Sequence, residues 1–297
     1  MKIKIKRKKL SDYSLGFSFL LPAFIMICTF SLYPIIKSLR LSFYKWDGVG
    51  EMIFKGLANY QNVFSDSHFY VVMRNSIIYM TMCTALVVGV GFMLALIIDL
   101  RVRGWKVYRI IFFVPYVTSI FIYVTVFKKM FEPYGLINTI LSALSLDFLK
   151  INWFIDPYRS ILLMSIMMCW AFSAFTMMFF IAGMGDIDED IYEAAKIDGA
   201  STFQRIIKIT IPLLKNVFSM MAVFFLIMTF KGFGIVYILT RGGPYRTTEI
   251  LGVKIYMDAF YFSNFGDASV YAVLSVFAAV LFAIMYRKVS GYDKKKL

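Results

Sequence analysis

The stretch EAAKIDGASTFQRIIKITIPLL, residues Glu193–Leu214, is charged and amphipathic, although the chain around it is largely apolar. Runs long enough to cross a bilayer flank it on both sides. The acidic run GDIDED (Gly185–Asp190) precedes it, where carboxylates suit the positive end of a helix dipole. Good helix formers follow, and Gly199 interrupts them where the chain can turn or a partner can approach closely. The stretch therefore predicts a polar helix between two membrane spans.

The second half of this stretch has an apolar face. Phe203, Ile206 and Ile207 recur at helical spacing, and Pro212 is predicted to close the element and lead into the next span. Such a helix can lie on the inner leaflet of the membrane, or it can dock into a groove on a cytosolic partner. Periodicity alone leaves both interpretations open.

The composition places the whole chain in a membrane. Of its 297 residues, 60% are hydrophobic and only 17% are charged, and the mean hydropathy is +0.72. A soluble domain of this size could not bury so much apolar surface. The sequence holds no GxxxxGK[ST] phosphate loop, so we do not expect the chain itself to bind ATP. Its only histidine is His68, and its three cysteines lie in apolar runs, so we expect no metal, no cofactor and no disulfide.

Six runs are apolar over the roughly 20 residues that a bilayer span requires. The predicted spans are Leu15–Ile36, Val71–Ile98, Ile110–Phe127, Ser160–Met184, Val217–Leu239 and Ala268–Tyr286. Lysine and arginine concentrate on one side of the membrane when the N-terminus is placed in the cytosol. The predicted fold is an all-α polytopic membrane protein with six transmembrane helices and both termini in the cytosol. The helix of the opening stretch is then cytosolic and lies between spans four and five.

The predicted organisation has three parts. Residues 1–14 form a basic cytosolic segment, residues 15–287 form the transmembrane domain with the cytosolic loop 185–213, and residues 288–297 form a basic cytosolic tail. The net charge is +14. We interpret the two basic terminal segments as anchors that hold the topology near anionic lipid, and we expect no nucleic acid to bind. The outer loops are predicted at about 37–70, 128–159 and 240–267.

The spacing within the opening stretch resembles the signature of the permease subunits of binding-protein-dependent ABC importers. That signature is EAA, three residues, Gly, nine residues and Ile-x-Leu-Pro. This chain has EAA at 193–195, Gly199 and ITIP at 209–212, and only Ile211 departs from the leucine of the signature. The resemblance implies that the segment is a coupling helix seated in a cleft of an ATPase subunit. The residues that it gives this role are Glu193, Ala194, Ala195, Asp198, Gly199, Ala200, Phe203, Ile209 and Pro212.

Further motifs in order along the chain look like the carbohydrate-importer branch of that family. They include LSFYKWDG at 41–48, FFVPY at 112–116 and LTRGGPYRTTE at 239–249. More narrowly, they are similar to the larger maltose permease subunit, although this chain has six predicted spans where that subunit has eight. The resemblance implies the inner or plasma membrane of a prokaryote. It also implies four kinds of partner: a second homologous permease, two ATPase subunits, an extracytoplasmic solute-binding protein and a sugar or polyol substrate.

A path for sugar needs aromatic surfaces together with hydrogen-bonding groups. Spans four and five each present such a face at helical spacing, and the resemblance implies that similar positions contact sugar. Ordinary helix packing is the open alternative for each residue. The path candidates are Met168, Phe172, Phe175, Phe225, Met228, Thr229, Lys231 and Gly232.

Lys231 is a charge inside the otherwise apolar run IMTFKGFGIVY. Such a residue either faces a cavity or extends to the membrane surface, and both interpretations stay open. Gly232 and Gly234 beside it are predicted to loosen the helix.

The outer loops have a role that the resemblance implies, because in the family they meet the two lobes of the binding protein. RGGPYR is predicted to be a turn from its Gly-Gly-Pro sequence, and a merely solvated turn is the alternative. The docking candidates are Arg241, Gly242, Gly243, Pro244 and Tyr245. YGLINTILSAL, residues 134–144, predicts a short surface helix.

The sequence thus predicts the permease subunit of an ATP-driven sugar importer that is not itself an enzyme. The alternative is a secondary transporter of a small polar solute. Such a protein should show paired acids within its spans or internal repeats, and this sequence shows neither.

Overall fold

The computed structural model describes residues 10–100 and 104–290, with side chains described for 17–100 and 104–285. Part of the predicted charge pattern lies outside the described residues, namely the basic run 1–9, Arg101, Arg103 and the end of the tail at 291–297. The orientation of the termini therefore stays a prediction.

The described chain is mostly helical, as predicted for an all-α protein. Its helices and strands are α1 (Leu10–Ile27), α2 (Tyr33–Leu41), β1 (Tyr44–Lys45), β2 (Ile53–Phe54), α3 (Ala58–Ser65), α4 (Ser67–Asp99), α5 (Trp105–Val117), α6 (Ile120–Phe131), α7 (Leu136–Ala143), α8 (Pro157–Gly185), α9 (Glu189–Ile197), α10 (Thr202–Arg205), α11 (Ile211–Leu213), α12 (Lys215–Phe230), α13 (Gly234–Leu239), α14 (Leu251–Tyr256) and α15 (Phe265–Ser290). Helix α7 is the short helix that the sequence predicts at 134–144.

The chain folds as two compact units. Of the described residues, the first comprises 10–63 and Asp258–Val273. Its short hairpin pairs β1 with β2 in antiparallel register. The side chain of Asn59 supports the hairpin, because its Nδ2 donates to the carbonyls of Ser42 at 2.8 Å and Tyr44 at 2.9 Å. These bonds satisfy backbone carbonyls that the small sheet leaves unpaired.

Of the described residues, the second unit comprises 64–100, 104–257 and 274–290, and its core lies between α4, α8 and α12. Glycines let these helices approach closely. A Cβ on Gly91 of α4 would lie 2.6 Å from the Cβ of Thr176 on α8. A Cβ on Gly183 would lie 2.8 Å from a methyl of Val217 on α12. Small residues at contacts of this kind are how helices pack within a membrane.

Four of the six predicted spans are confirmed as single helical runs that are long and apolar enough to cross a membrane. They are Phe17–Leu41, Ser67–Asp99, Pro157–Gly185 and Phe265–Met285. Two further helix pairs reach that length only as bent pairs, Trp105–Val117 with Ile120–Ala143 and Thr202–Leu213 with Lys215–Phe230. The described residues therefore hold four spans, or six if each bent pair is one span.

The third span, predicted at Ile110–Phe127, is bent in the structure. The helical stretches Trp105–Val117 and Ile120–Ala143 meet at an angle of 93°. Pro115 lies in the last turn of α5, where it cannot donate a backbone hydrogen bond. Thr118 then adopts an extended conformation with ψ 135°, and the helix restarts at Ile120.

The fifth span also differs from its prediction at Val217–Leu239. Helix α12 ends at Phe230, and residues 231–233 are not helical. A Cβ on Gly252 of α14 would overlap the carbonyl oxygen of Gly232, so two segments of backbone meet at this break. Gly232 and Gly234 do interrupt the helix, as the sequence predicts.

Pro212, predicted to close the coupling element, lies one residue before the end of its last helix. Residues Ile206–Thr210 form a π-helix in which the N–H of Ile211 donates to the carbonyl of Ile206, and α11 continues through Pro212. The wider π turn accommodates the missing N–H of the proline. The bend, of 66°, comes at Leu214.

Candidate functional site

The predicted coupling segment begins with a capped helix. Asp188 is the N-cap of α9, and its carboxylate accepts a bond from the N–H of Asp190 at 3.1 Å. Glu189 and Asp190 occupy the first turn, where negative charge stabilises the end of the helix. The acidic run therefore serves to start the helix, as the sequence predicts.

Gly199 ends α9 in a left-handed conformation, with φ +77°. The N–H of Gly199 donates to the carbonyl of Lys196 at 3.0 Å, and the N–H of Ala200 donates to that of Ala195 at 2.9 Å. This is the Schellman pattern of helix termination, which favours glycine at its left-handed position. No other atom lies within 4 Å of a Cβ built there, so the backbone angle, and not crowding, requires glycine.

A second capped helix starts directly after the turn. The N–H of Gln204 donates to Ser201 Oγ at 3.2 Å, while the N–H of Ser201 donates to Gln204 Oε1 at 2.8 Å. This capping box fixes the start of α10. A hydrogen bond of 3.0 Å between the hydroxyls of Tyr192 and Thr210 then joins the two arms. Residues 189–210 thus form a pre-organised helix-turn-helix, which we name the coupling segment.

The coupling segment exposes apolar side chains. Ile197 is 86% exposed and Phe203 is 71% exposed. They flank the turn at Gly199, one on each arm of the coupling segment. The residues assigned to coupling lie within this segment, with Ile209 in the π-helix at its end, except for Pro212, which lies in α11.

A cavity of about 440 Å³ lies behind the coupling segment. Its wall includes Leu96 and Asp99 at the end of α4, Met184 at the end of α8, and Tyr192 and Arg205 from the two arms. The coupling segment is therefore adjacent to the ends of the two helices that form most of the core.

Three of the path candidates meet in an aromatic cluster. Phe175 stacks on Tyr116 with ring centroids 5.3 Å apart, and Phe172 meets Tyr116 edge to face at 5.7 Å. Phe225 contacts Phe172 at 6.0 Å. Helices α5, α8 and α12 each contribute to this cluster. Its half-exposed members present ring faces of the kind that bind the apolar faces of sugars.

The other path candidates are spread over different environments. Met168, Phe225 and Thr229 are buried, and the hydroxyl of Thr229 donates to the carbonyl of Phe225 at 2.6 Å. These three pack between helices and present no surface in this structure. Met228 is partly exposed, and exposed Lys231 caps the end of α12. The sequence missed the exposed rings of Phe179 and Phe224, although Phe179 follows Phe175 at helical spacing.

The predicted docking turn is confirmed as a turn, and hydroxyl groups hold it together. Thr248 Oγ1 donates to the carbonyl of Gly243 at 2.6 Å, and Thr247 Oγ1 donates to that of Pro244 at 2.6 Å. The hydroxyls of Thr240 and Thr248 are 2.9 Å apart. Residues 240–249, which we name the outer turn, are thus cross-linked internally, and Tyr245 at the tip is 97% exposed.

The sequence predicted no role for Glu249, the last residue of the outer turn. It is fully buried, and its carboxylate accepts bonds from Arg246 Nε at 2.9 Å and Nη2 at 3.2 Å. His68 Nε2 lies 2.8 Å from Oε2, the same oxygen that accepts from Arg246 Nη2. Burial alone raises the pKa of Glu249, but the bonds from His68 and Arg246 outweigh it and hold the pKa below its ordinary value of 4.5.

The outer turn is fastened to the start of α4. Asn75 Nδ2 donates to the carbonyls of Thr247 at 2.7 Å and Glu249 at 3.1 Å. The N–H of Leu251 donates to Ser76 Oγ at 2.9 Å. The outer turn therefore lies at the Ser67 end of α4 and the coupling segment at its Asp99 end. A helix of 33 residues is about 50 Å long, so the two sites are separated by the length of a membrane span.

The chain is thus a helical protein with apolar spans, and its two predicted sites lie at opposite ends of α4. Comparison with known proteins defines the class of protein to which it belongs. The family model described as the inner membrane component of binding-protein-dependent transport systems matches residues 87–291. The chain belongs to this family. It is a multi-pass membrane permease of an ABC transport system, and not a catalytic subunit.

Curated relatives match over almost their whole length. The chain is 34% identical to the lactose transport system permease protein LacF of Rhizobium radiobacter, covering 90% of this chain and 91% of that one. It is 31% identical to the trehalose/maltose transport system permease protein MalF of Thermococcus litoralis, covering 96% and 97%. A probable ABC transporter permease protein of Pyrococcus horikoshii is 32% identical, covering 90% and 92%.

A solved structure has the same fold. A chain of a bacterial alginate ABC transporter, in complex with an alginate-bound periplasmic protein, superposes with a TM-score of 0.82 at 22% identity. The match covers 96% of this chain and 97% of that chain.

Proposed function

We propose that this chain forms half of the translocation path of an ATP-driven importer for a sugar or a related polyol. A solute-binding protein outside the cytosol delivers the substrate, and a second homologous permease supplies the other half of the path. Two separate ATPase subunits hydrolyse ATP. The observation that carries the proposal is the exposed coupling segment with EAA spacing at one end of α4, opposite a rigid turn at the other end.

The coupling segment is proposed to dock into a groove on an ATPase subunit. Ile197 and Phe203 offer the apolar contacts, and the Schellman turn and capping box make the segment rigid. The segment continues through the π-helix and α11 to α12. Closure of the ATPase subunits would therefore move α12 and open the path outward, and ATP hydrolysis would return it.

The substrate class rests on two observations. Relatives named for lactose and for trehalose and maltose match almost the whole chain. The aromatic cluster at Tyr116, Phe172 and Phe175 offers surfaces that suit the apolar faces of sugar rings. The buried Met168 and Thr229 pack between helices, so most polar contacts with the sugar are assigned to the partner permease.

The orientation is proposed from the positions of the two sites. The coupling segment is placed in the cytosol, with the ATPase subunits, and the outer turn is placed on the opposite side, with the binding protein. Arg241 and Tyr245 are exposed on that turn, and both are proposed to contact the binding protein together with Gly242, Gly243 and Pro244. Both termini are then cytosolic.

The complex purified from its native membrane and reconstituted in proteoliposomes tests this proposal. We expect uptake of a radiolabelled disaccharide or polyol from a panel to require both ATP and the binding protein. A vesicle without ATP but with an ion gradient is the control. Uptake that the ion gradient drives in the absence of ATP would instead establish the secondary transporter.

A further inference from the structure

The outer turn depends on one buried carboxylate. Glu249 is fully buried and accepts bonds from Arg246 within the turn and from His68 at the start of α4. A buried carboxylate is stable only when such partners compensate for its lost hydration. Here the compensation comes from two segments, so Glu249 ties the turn to α4.

The turn is also built around this side chain. Gly242 has φ +86°, and a Cβ there would lie 2.5 Å from Cγ of Glu249. The N–H of Thr248 donates to the carbonyl of Gly242 at 3.0 Å, which closes the turn over the carboxylate. The glycine therefore allows the backbone to lie directly against Glu249.

The exposed tip of the turn follows from this anchor. Arg241 has φ +51°, Tyr245 has φ +49° and Arg246 has φ +63°, all in the left-handed region that disfavours side chains. Such angles persist only where surrounding bonds fix them. Two sets of bonds reach the residues beside Tyr245: the hydroxyl of Thr247 holds the carbonyl of Pro244, and the carboxylate of Glu249 holds the side chain of Arg246.

We propose that Glu249, held by His68 and Arg246, is the positioning residue that sets the tip of the outer turn for docking of the solute-binding protein. It touches neither substrate nor partner, and acts through Tyr245. This inference rests on the proposed function. The turn is fastened to α4, and the other end of α4 adjoins the coupling segment. We therefore expect docking of the binding protein to stimulate ATP hydrolysis, and this stimulation measures docking.

The test is a titration of ATPase activity with the binding protein, using the complete reconstituted complex. Glu249→Gln keeps the shape of the side chain but removes its charge. We expect the concentration of binding protein for half-maximal stimulation to rise by about tenfold, as for the loss of one charge-assisted hydrogen bond. Basal ATPase activity and the maximal stimulation should not change.

Glu132→Gln is the matched control. Glu132 also forms an ion pair with a residue three positions away, Lys129 at 3.1 Å, but it is partly exposed and lies outside the outer turn, whose residues are the ones proposed to contact the binding protein. Its titration curve should overlay that of the wild type. Glu249→Asp, which keeps the charge, should recover part of the loss.

Two further variants keep the proposal falsifiable if Glu249→Gln fails to assemble. His68→Gln replaces the rigid imidazole, at a position that is 19% exposed, by a more flexible amide that holds the carboxylate less firmly, and should shift the curve in the same direction. Tyr245→Ala should weaken docking by itself, and adding His68→Gln should then cause little further loss, because both act through one contact.

The outcomes separate the two proposals. The positioning role alone is overturned if the binding protein stimulates the wild-type complex and the titration curves of His68→Gln and Glu249→Gln match the wild-type curve. A wild-type complex that no binding protein stimulates overturns the proposed function. Equal loss of basal and stimulated activity in both variants would show a merely structural role, and would also overturn the inference.

Discussion

At the scale of single residues, Gly199 shows how one backbone angle can define the coupling segment. Its left-handed conformation turns the chain between α9 and α10, and the exposed side chains of Ile197 and Phe203 lie on either side of this turn in the sequence. The space around it is open, so a side chain would be excluded by the backbone angle alone. Sequence reasoning predicted this turn because glycine is the residue that such an angle favours.

Gly199→Ala should impair coupling without preventing folding. The left-handed angle should cost about 1 kcal/mol with alanine, which favours alternative conformations of the turn. We expect less transport per ATP hydrolysed in proteoliposomes. Gly185→Ala is the matched control, since Gly185 also has open space around it but no left-handed angle. Equal transport per ATP in the two variants would contradict the role given to this turn.

The buried Glu249 makes a prediction about acid stability. Its pKa is depressed in the folded state, so its contribution to stability is present above about pH 4.5 and is lost as the pH falls through the folded pKa. The difference in Tm between wild type and Glu249→Gln should persist from neutral pH to about pH 5 and narrow only below it. Thermal unfolding in detergent measures this difference. A difference that disappears already at pH 6 would contradict the depressed pKa.

At the scale of elements, the close approach of α4 and α8 organises the core of the second unit. Gly91 faces Thr176 and the backbone of Ser173 at distances that leave no room for a Cβ. The contact lies in the second half of α4, between the end that carries the outer turn and the end that adjoins the coupling segment. A change there should therefore separate α4 from α8 without touching either site.

Gly91→Ala should lower the stability of the protein by about 1–3 kcal/mol, because the added methyl group overpacks the interface between α4 and α8. Gly89→Ala on the same helix is the control, since no atom lies within 4 Å of a Cβ built there. Thermal unfolding of the two variants in one detergent gives the comparison. If both unfold at the same temperature, the helices do not pack as described.

The aromatic cluster gives a prediction for the path. Phe175→Ala removes a ring that stacks on Tyr116, and we expect the apparent affinity for sugar in uptake to fall by about threefold to tenfold. Phe121→Ala is the control, because Phe121 is exposed on α6 and lies outside the cluster. Uptake that is unchanged in Phe175→Ala but impaired in Phe121→Ala would place the path elsewhere.

At the scale of the whole molecule, local sequence signals predicted most of the fold. Four spans, the short helix α7, the turn at Gly199 and the turn at 240–249 follow from hydropathy, glycine and capping patterns. The bend after Pro115 was missed because hydropathy stays high on both sides of it. The break at Gly232 depends on Gly252, which meets it only in the folded chain.

The candidate sites were predictable to different degrees. The coupling segment depends on residues close in sequence, so its spacing could be read directly. The role of Glu249 depends on His68, 181 residues away, and no periodic pattern relates two such positions. Burial of Met168 and Thr229 likewise depends on which helices pack together, which a single sequence does not reveal.

Photo-cross-linking in the native membrane tests the central claim most directly. A photoreactive amino acid is placed at Phe203, which is 71% exposed, or at Tyr245, which is 97% exposed, and the linked proteins are identified by mass spectrometry. The account predicts that position 203 links to an ATPase with a phosphate loop, and position 245 to a solute-binding protein. Links to neither protein, or the same partner at both positions, would contradict a permease that joins an ATPase on one side of the membrane to a binding protein on the other.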